Sequence, residues 1–471
     1  MRRIPPGFPG RASGAMTHQR RHRSFWIDRA PHRDARPPLR GDVETDLLII
    51  GGGYTGLWTA LLAAEREPGR RITLLEGATV GHAASGRNGG FVEPSISHGL
   101  ANAVARWPEQ ARDIVRLSDE NFAGMRADVE RHGIDCDWVE QGSITFARTP
   151  WQVDALREGA DEANALGERT TFIGPDEIGT VTASPEYLAA ARTHVSATVD
   201  PYRLATGLAD AVLSAGVTVH EHSVVHRLEH GREARAHTEH GSVRARQVVL
   251  ATNAYPSLLR RLAPLTVPVY DYALVTEPLT DAQFASIGWE GGEGLADAGN
   301  QFHYYRKTDD GRILWGGYDA VYYFGSRRGE RLTQRPATFA TLERNFRQTY
   351  PQLADVRFTH QWGGMIDTSS QFCVTSGVVS RGRIAYAVGF TGLGVAATRF
   401  GAEVMLDQLA GERTERTELD MIRKTPTPFP PEPARLLGVN LTRWSMARED
   451  ETGRRNLWLR TMDALGLGFD S

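Results

Sequence analysis

Three glycines and one acid carry the clearest chemistry in this chain. In Asp46-Leu47-Leu48-Ile49-Ile50-Gly51-Gly52-Gly53-Tyr54-Thr55-Gly56 the glycines at 51, 53 and 56 have the spacing of a dinucleotide-binding turn, and Ile72-Thr73-Leu74-Leu75-Glu76 follows an apolar helical run. Gly51 suits the turn from strand to helix, Gly53 lets backbone approach a pyrophosphate, and Gly56 lets helix and strand pack closely. The phosphates then lie on a helix N-terminus, with Tyr54 and Thr55 in its first turn, where unpaired N–H groups and the helix dipole favour negative charge. Glu76 is placed to accept hydrogen bonds from a ribose 2′-hydroxyl and would repel a 2′-phosphate, which predicts an adenosine diphosphate ligand rather than an NADP-type one. Glycine-rich turns are common by themselves. A strand ending at Ile50, a helix, a second strand and a terminal acid in this order are what make the pattern a βαβ start.

Immediately after that unit comes Gly81-His82-Ala83-Ala84-Ser85-Gly86-Arg87-Asn88-Gly89-Gly90, a loop of small residues with two potential donors to phosphate or flavin. Its Ser85, Arg87, Asn88, Gly89 and Gly90 resemble the SGRNGG-type segment of the FAD-dependent D-amino-acid oxidase superfamily, in the branch of glycine, sarcosine and γ-glutamylputrescine oxidases. The resemblance implies an α/β fold: a Rossmann-like FAD-binding domain of the GR2 type, interleaved with an α+β substrate domain that contains an antiparallel sheet. It implies FAD as cofactor. It also implies backbone at Val225 holding the adenine, and a strand Val248-Val249-Leu250-Ala251-Thr252-Asn253-Ala254 closing over the dinucleotide, with Ala251 and Thr252 at the cofactor. There Asn253 replaces the usual glycine, and Asn tolerates left-handed backbone better than most residues. Around Gly389-Phe390-Thr391-Gly392-Leu393-Gly394 the resemblance implies a glycine turn and a helix whose positive end faces the flavin N1–C2=O edge, where negative charge collects on reduction. Trp362-Gly363-Gly364 would pass beside the flavin ring, Gly364 permitting close approach.

Organisation along the chain is interleaved. Residues 44–98, 186–260 and 356–415 read as the FAD-binding domain, and 99–185 and 261–355 as a substrate or cap domain. The first insertion is mostly helical, as in Ala111 to Val129, with short strands near Trp138-Val139 and Ser143 to Phe146. The second alternates apolar and aromatic residues over Val267 to Val275, Phe302 to Arg306 and Arg312 to Tyr318, a period of two that predicts antiparallel strands. Val217 to Val225 reads as a strand. Residues 416–471 read as a Pro-rich linker and a helical tail around Asn456 to Leu465. Residues 1–43 are basic and read as a disordered arm, with Met16 an alternative initiator because the resemblance starts near Ser24.

Substrate-facing positions follow from the resemblance. A family flavoenzyme takes hydride from the carbon next to an amine nitrogen and leaves an imine that water hydrolyses, so desolvation and positioning matter more than a strong base. Tyr304 or Tyr305 occupies the place of an active-site tyrosine, and Asp319 that of a histidine. Trp315 stands where relatives carry an oxygen-reactive lysine, Met365 where sarcosine oxidases carry the cysteine that binds flavin covalently, and no arginine falls near Phe91 to clamp a carboxylate. Leu393 departs from a common glycine–histidine–glycine turn. Non-covalent FAD and an amine or amino-acid substrate are therefore expected, with His82 the residue to suspect if flavin is tethered. Tyr270, Tyr272 and Trp315 read as sheet packing.

Composition narrows the classes further. At 471 residues and 41% hydrophobic content the chain can bury two cores, and a net charge of −3 offers no nucleic-acid surface. Only two of its 54 basic residues are lysines, Lys307 and Lys424, and the arginines are spread throughout. Cys136 and Cys373 fit no metal spacing and read as thiols of a reducing cytoplasm. No metal site is expected, and His220, His222, His226 and His230 read as a solvated strand face. No stretch has the ~20 apolar residues of a membrane-spanning helix. Oligomeric state is left open. Two other classes share the fingerprint: a flavin-dependent tRNA-modifying enzyme, suggested by the basic arm, and a non-catalytic FAD-binding module.

Overall fold

The computed structural model describes residues 20–231 and 233–468. Its first sheet has the order Thr375–Val379, Ile384–Val388, Gly241–Leu250, Gly41–Ile50, Ile72–Leu75, Thr218–His220, with Arg227–His230 and Ala234–His237 extending from Gly241–Leu250. Gly41–Ile50 is parallel to both its neighbours, Leu47 lying opposite Ile72 and Gln247. Apolar residues run without a break from Leu47 to Ile50 because both faces of this strand are covered. Leu47 and Ile49 join the core under the helices Tyr54–Arg66 and Gly394–Ala410, while Leu48 and Ile50 face Leu228, Ala234 and Ala236 of the hairpin layer. Each such fully buried aliphatic side chain contributes about 1.5–3 kcal/mol. Both helices are almost wholly buried, which fixes their N-termini against the ends of the strands.

The second sheet is built on Thr266–Thr276, which pairs antiparallel with Phe358–Ser369 and with Ile313–Gly317. The latter carries His303–Lys307, then Gly294–Asp297, Ser143–Ala147, Ala189–Thr193 and Thr170–Ile173. The helix Pro336–Thr349 seals its outer face through Phe339, Leu342 and Phe346. Ala111–Arg131 forms the expected long helix, packed on Gly394–Ala410 through Asn121, whose Nδ2 donates to the Ala396 carbonyl at 3.0 Å.

Several sequence expectations shift. The segment boundaries at 186 and 356 are too early, since Ala189–Thr193 and Phe358–Ser369 belong to the second sheet. The strand expected over Val217 to Val225 is confined to Thr218–His220, because Glu221 turns inward to accept from Val80 N, Arg36 N and Arg33. Residues 20–43 are not a disordered arm: Phe25 and Trp26 are buried at 3% and 1% exposure, and Gly41 already pairs with Gly241. Residues 1–19, and with them Met16, lie outside the described residues. In the tail, the segment after the Pro-rich stretch forms a helix, Ala434–Thr452, that the sequence reading lacks, ahead of the expected terminal helix Leu457–Ala464.

Candidate active site

One cavity of about 1940 Å³ runs between the two sheets. That is roughly twice the ~300–1,000 Å³ of an ordinary ligand pocket, room for a dinucleotide and a substrate together. Of the residues singled out from sequence, Gly51, Gly53, Tyr54, Thr55, Glu76, Ser85, Arg87, Asn88, Gly89, Val225, Ala251, Thr252, Gly364, Thr391, Gly392, Leu393, Gly394 and Tyr304 line it. Gly56, Gly90, Gly389, Tyr305 and Asp319 are not in its wall.

The glycine turn is forced by its neighbours. Gly51 has φ +116°, and a Cβ there would sit 2.4 Å from the Ala251 carbonyl oxygen. Gly56 packs on Gly51 itself, so its place behind the turn is a packing one. Glu76 closes the second strand into the cavity, where Oε2 accepts from Gly52 N at 2.6 Å and Oε1 from Ala78 N at 2.7 Å. Burial pushes its carboxyl above the ordinary range, opposed by those two N–H groups. The acid therefore also shapes the turn that it was expected to complement. Asn253 takes a left-handed conformation, φ +47°, and its Nδ2 reaches Asp367 Oδ1 at 3.1 Å.

The loop Ser85 to Gly90 is held from outside, carbonyl by carbonyl. Ser24 Oγ donates to Gly86 O at 2.7 Å, Trp362 Nε1 to Arg87 O at 2.8 Å and Trp26 Nε1 to Asn88 O at 3.0 Å. Arg306, 1% exposed, donates to Val199 O at 2.5 Å behind Gly90 and lies over the Trp26 ring. Inside the loop, Asn88 Oδ1 accepts from Gly90 N, its Nδ2 donates to Ala84 O and Ser85 O, and Ser85 Oγ accepts from Tyr54 N. Arg87 places its guanidinium on Glu330 at 2.8 and 3.0 Å.

Period two decides the aromatic wall. Tyr304 turns into the cavity, whereas Tyr305 faces the opposite core, edge to face with Trp289 and Tyr350 and tilted against Trp315, with its hydroxyl 2.7 Å from that of Tyr187. Tyr305 is thus corrected from a substrate-facing candidate to a core residue. Trp315 and Tyr270 are in the same core, and Tyr272 belongs to it while also touching the cavity. Asp319 is corrected as well: left-handed backbone at Gly317 and Tyr318 swings the chain so that Tyr318 and Ala320 reach the cavity. The Asp319 carboxylate points away, to Arg335 at 2.7 Å, Thr338 Oγ1 at 2.8 Å and Arg443 at 2.7 Å.

Sequence reasoning missed three contributors. Asp271, on Thr266–Thr276 opposite Gly364, lines the cavity and accepts from the Tyr304 hydroxyl at 2.5 Å; burial pushes its carboxyl up to about 6. A charge at an inward position of an apolar alternation, Val267, Val269, Asp271, Ala273, was the available signal. Asp367 accepts from Gly389 N at 2.5 Å, and burial pushes it to about 7. The helix Ala434–Thr452 adds Gly438, Val439, Thr442 and Met446 to the cavity wall; no motif marked it.

These features fit FAD. The N-termini of Tyr54–Arg66 and Gly394–Ala410 both open on the same cavity, offering unpaired N–H groups for a pyrophosphate and for the pyrimidine edge of a flavin. Among the described residues no His, Cys, Asp or Glu cluster is arranged to hold a metal, and no helix is long and apolar enough to cross a membrane.

Comparison with known proteins agrees with this geometry. The family model "DAO: FAD dependent oxidoreductase" matches residues 46–408. The γ-glutamylputrescine oxidoreductase of Escherichia coli (strain K12) is 30% identical over 383 residues, 79% of this chain and 85% of that protein. The probable oxidoreductase OrdL of Haemophilus influenzae is 27% identical over 406 residues, 84% and 90% of the two chains. Glycine oxidase from Geobacillus kaustophilus superposes with a TM-score of 0.68 at 20% identity, covering 79% of this chain and 96% of its own. With its cofactor segments, both helix N-termini and the cap sheet all inside the matched region, this chain belongs to the DAO family of FAD-dependent oxidoreductases.

Proposed function

We propose that this FAD-dependent oxidoreductase oxidises the C–N bond of an amine in preference to an amino acid. When bound, FAD would accept the hydride that leaves the carbon next to the amine nitrogen. Water then converts the imine to a carbonyl compound and a smaller amine or ammonia. The chain's own residues exclude water, orient the substrate against the Phe91 and Tyr304 rings, which meet edge to face at 5.6 Å, and hold its charge. The observation that carries the preference is that Arg87 and Arg443, both in the cavity wall, already spend their guanidinium groups on Glu330 and Asp319. A substrate carboxylate that approached either of these two would have to break its pair. An amine cation instead meets aromatic faces and the Asp271 carboxylate. The relative named γ-glutamylputrescine oxidoreductase supports an amine of this kind.

FAD-binding roles for the lining residues named above, with Glu76 on the ribose and Gly53 under the pyrophosphate, belong to this reading. So does non-covalent attachment: Met365, in the cavity wall, cannot bond the flavin as a cysteine does, and acid precipitation should release the yellow colour to the supernatant. Colour kept in the pellet would point to His82, which also lines the cavity. The buried free thiols of Cys136 and Cys373 support a cytoplasmic setting. The deciding experiment is anaerobic mixing with amines, N-methyl amino acids and D-amino acids, following loss of flavin absorbance. Amines should bleach the flavin fastest; a faster amino-acid donor overturns the preference.

A further inference from the structure

The Tyr304 ring is wedged between two glycines. A Cβ at Gly89 would lie 2.8 Å from its edge and one at Gly316 2.5 Å from it, so the glycine loop and the cap strand together fix the ring. Its hydroxyl, at the far end, donates to Asp271 Oδ2 at 2.5 Å. Asp271 in turn accepts from Tyr272 N at 2.8 Å, and its register partner Gly364 presents no side chain. Both residues of the pair line the cavity next to Gly89 and Gly364.

We propose that Tyr304 and Asp271 together receive the proton of the substrate's ammonium group, a role that rests on the amine-oxidising reading above. An ammonium nitrogen has no lone pair to assist loss of hydride, so the bound cation must give up one proton first. That proton passes to Tyr304 Oη while the phenol's own proton passes to Asp271 Oδ2. The phenol ends neutral, the carboxylate becomes a carboxyl, and the amine is left with its lone pair; after product leaves, the carboxyl returns its proton to solvent. Burial favours the exchange from both sides, because it destabilises the ammonium and the carboxylate alike and neutralises both. It already pushes the Asp271 carboxyl up to about 6, so the acceptor is ionised at neutral pH yet basic enough to serve. The other charged groups around Asp271 are few. Asp319 beyond Gly317 is neutralised by Arg335 and Arg443, Arg87 across Gly364 is held by Glu330, and Tyr272 on the same strand donates its hydroxyl to the Leu332 carbonyl.

The test uses the holoenzyme in two arms. In rapid mixing with the best amine donor, flavin reduction in the parent should fall as pH drops through about 6, where Asp271 takes up its proton. Asp271→Asn should lose that step and reduce roughly a hundredfold more slowly at pH 7. Tyr304→Phe, which leaves the carboxylate in place, should slow reduction and shift the step. In the second arm, calorimetry measures binding of tert-butylamine, which has no C–H next to nitrogen and cannot be oxidised. The parent should bind it more weakly below pH 6 than above, and Asp271→Asn should bind it at least about tenfold more weakly at pH 8. Parent-like reduction profiles in both variants, or equal affinity of parent and Asp271→Asn for tert-butylamine, overturn the proposal. If the binding arm behaves as expected while no amine bleaches the flavin, the oxidation reading fails and the ammonium-receiving pair stands.

Discussion

The indole N–H of Trp26 donates to the carbonyl of Asn88 at 3.0 Å, tying residues outside the family-matched region to the small-residue loop in the cavity wall. Trp26→Phe keeps the ring under Arg306 and removes the donor. Losing one neutral hydrogen bond costs about 1 kcal/mol, so FAD affinity should weaken roughly fivefold without a change in secondary structure. Fluorescence titration of apoprotein with FAD measures this, and unchanged affinity would show that the loop needs no brace from the N-terminal segment.

Glu76 orders the turn through Gly52 and Ala78, and in the proposed reading it also meets the ribose. Glu76→Ala should weaken FAD binding by about 1.5–3 kcal/mol, or about ten- to a hundredfold. Gly53→Val acts by another route, since even a Cβ there would press on Ser85 Oγ at 3.0 Å, the acceptor of the Tyr54 N–H. Full flavin occupancy of Gly53→Val in dilute solution would contradict the placement of the pyrophosphate.

Four carboxyls in the cavity wall, Asp367 buried and Glu93, Glu168 and Asp271 partly buried, give the apoprotein a pH signature. Burial pushes Glu93, Glu168 and Asp367 up to about 7 and Asp271 to about 6. Each binds its proton more tightly in the folded chain than in the unfolded one, whose carboxyls titrate near 4. Their stabilising contribution is complete below pH 4 and is lost as pH rises through 6 to 7. Thermal unfolding of apoprotein should show that loss over this window. Asp367→Asn should flatten it, and an identical slope in the variant would remove Asp367 from the account.

Asp319 joins the cap to the helix Ala434–Thr452 through Arg443 and to the helix Pro336–Thr349 through Arg335. The arginines are about a third exposed, so solvent screens the pairs and Asp319→Ala should cost no more than about 1 kcal/mol. Flavin reduction should proceed near the parent rate, in contrast to Asp271→Asn. A large drop in the reduction rate with intact FAD binding would return Asp319 to the substrate's surroundings.

What the sequence by itself determined is local. The Gly51 turn, the strands around it and the small-residue loop have short-range requirements, a positive φ, an N–H at a helix start, an alternation of two, that only certain residues meet. The cap strands were legible for the same reason, and so was the left-handed Asn253. Tertiary structure decided the rest. Tyr304 and Tyr305 are indistinguishable in a strand buried on both faces, and only the covering layers say which face is the cavity. Asp319 sits one residue from two cavity-lining neighbours, yet the left-handed turn at Gly317 and Tyr318 sends its carboxylate to Arg335 at the head of Pro336–Thr349 and to Arg443 of the distant helix Ala434–Thr452. Asp271 meets Tyr304 across 33 residues of chain because Ile313–Gly317 pairs with both of their strands. The Ala434–Thr452 helix, whose apolar pattern is faint, became part of the site because Asp450 caps the backbone of Asn300 and Gln301 beside the cavity. Such contacts depend on register and on what covers each face, and neither is written in any one stretch of residues.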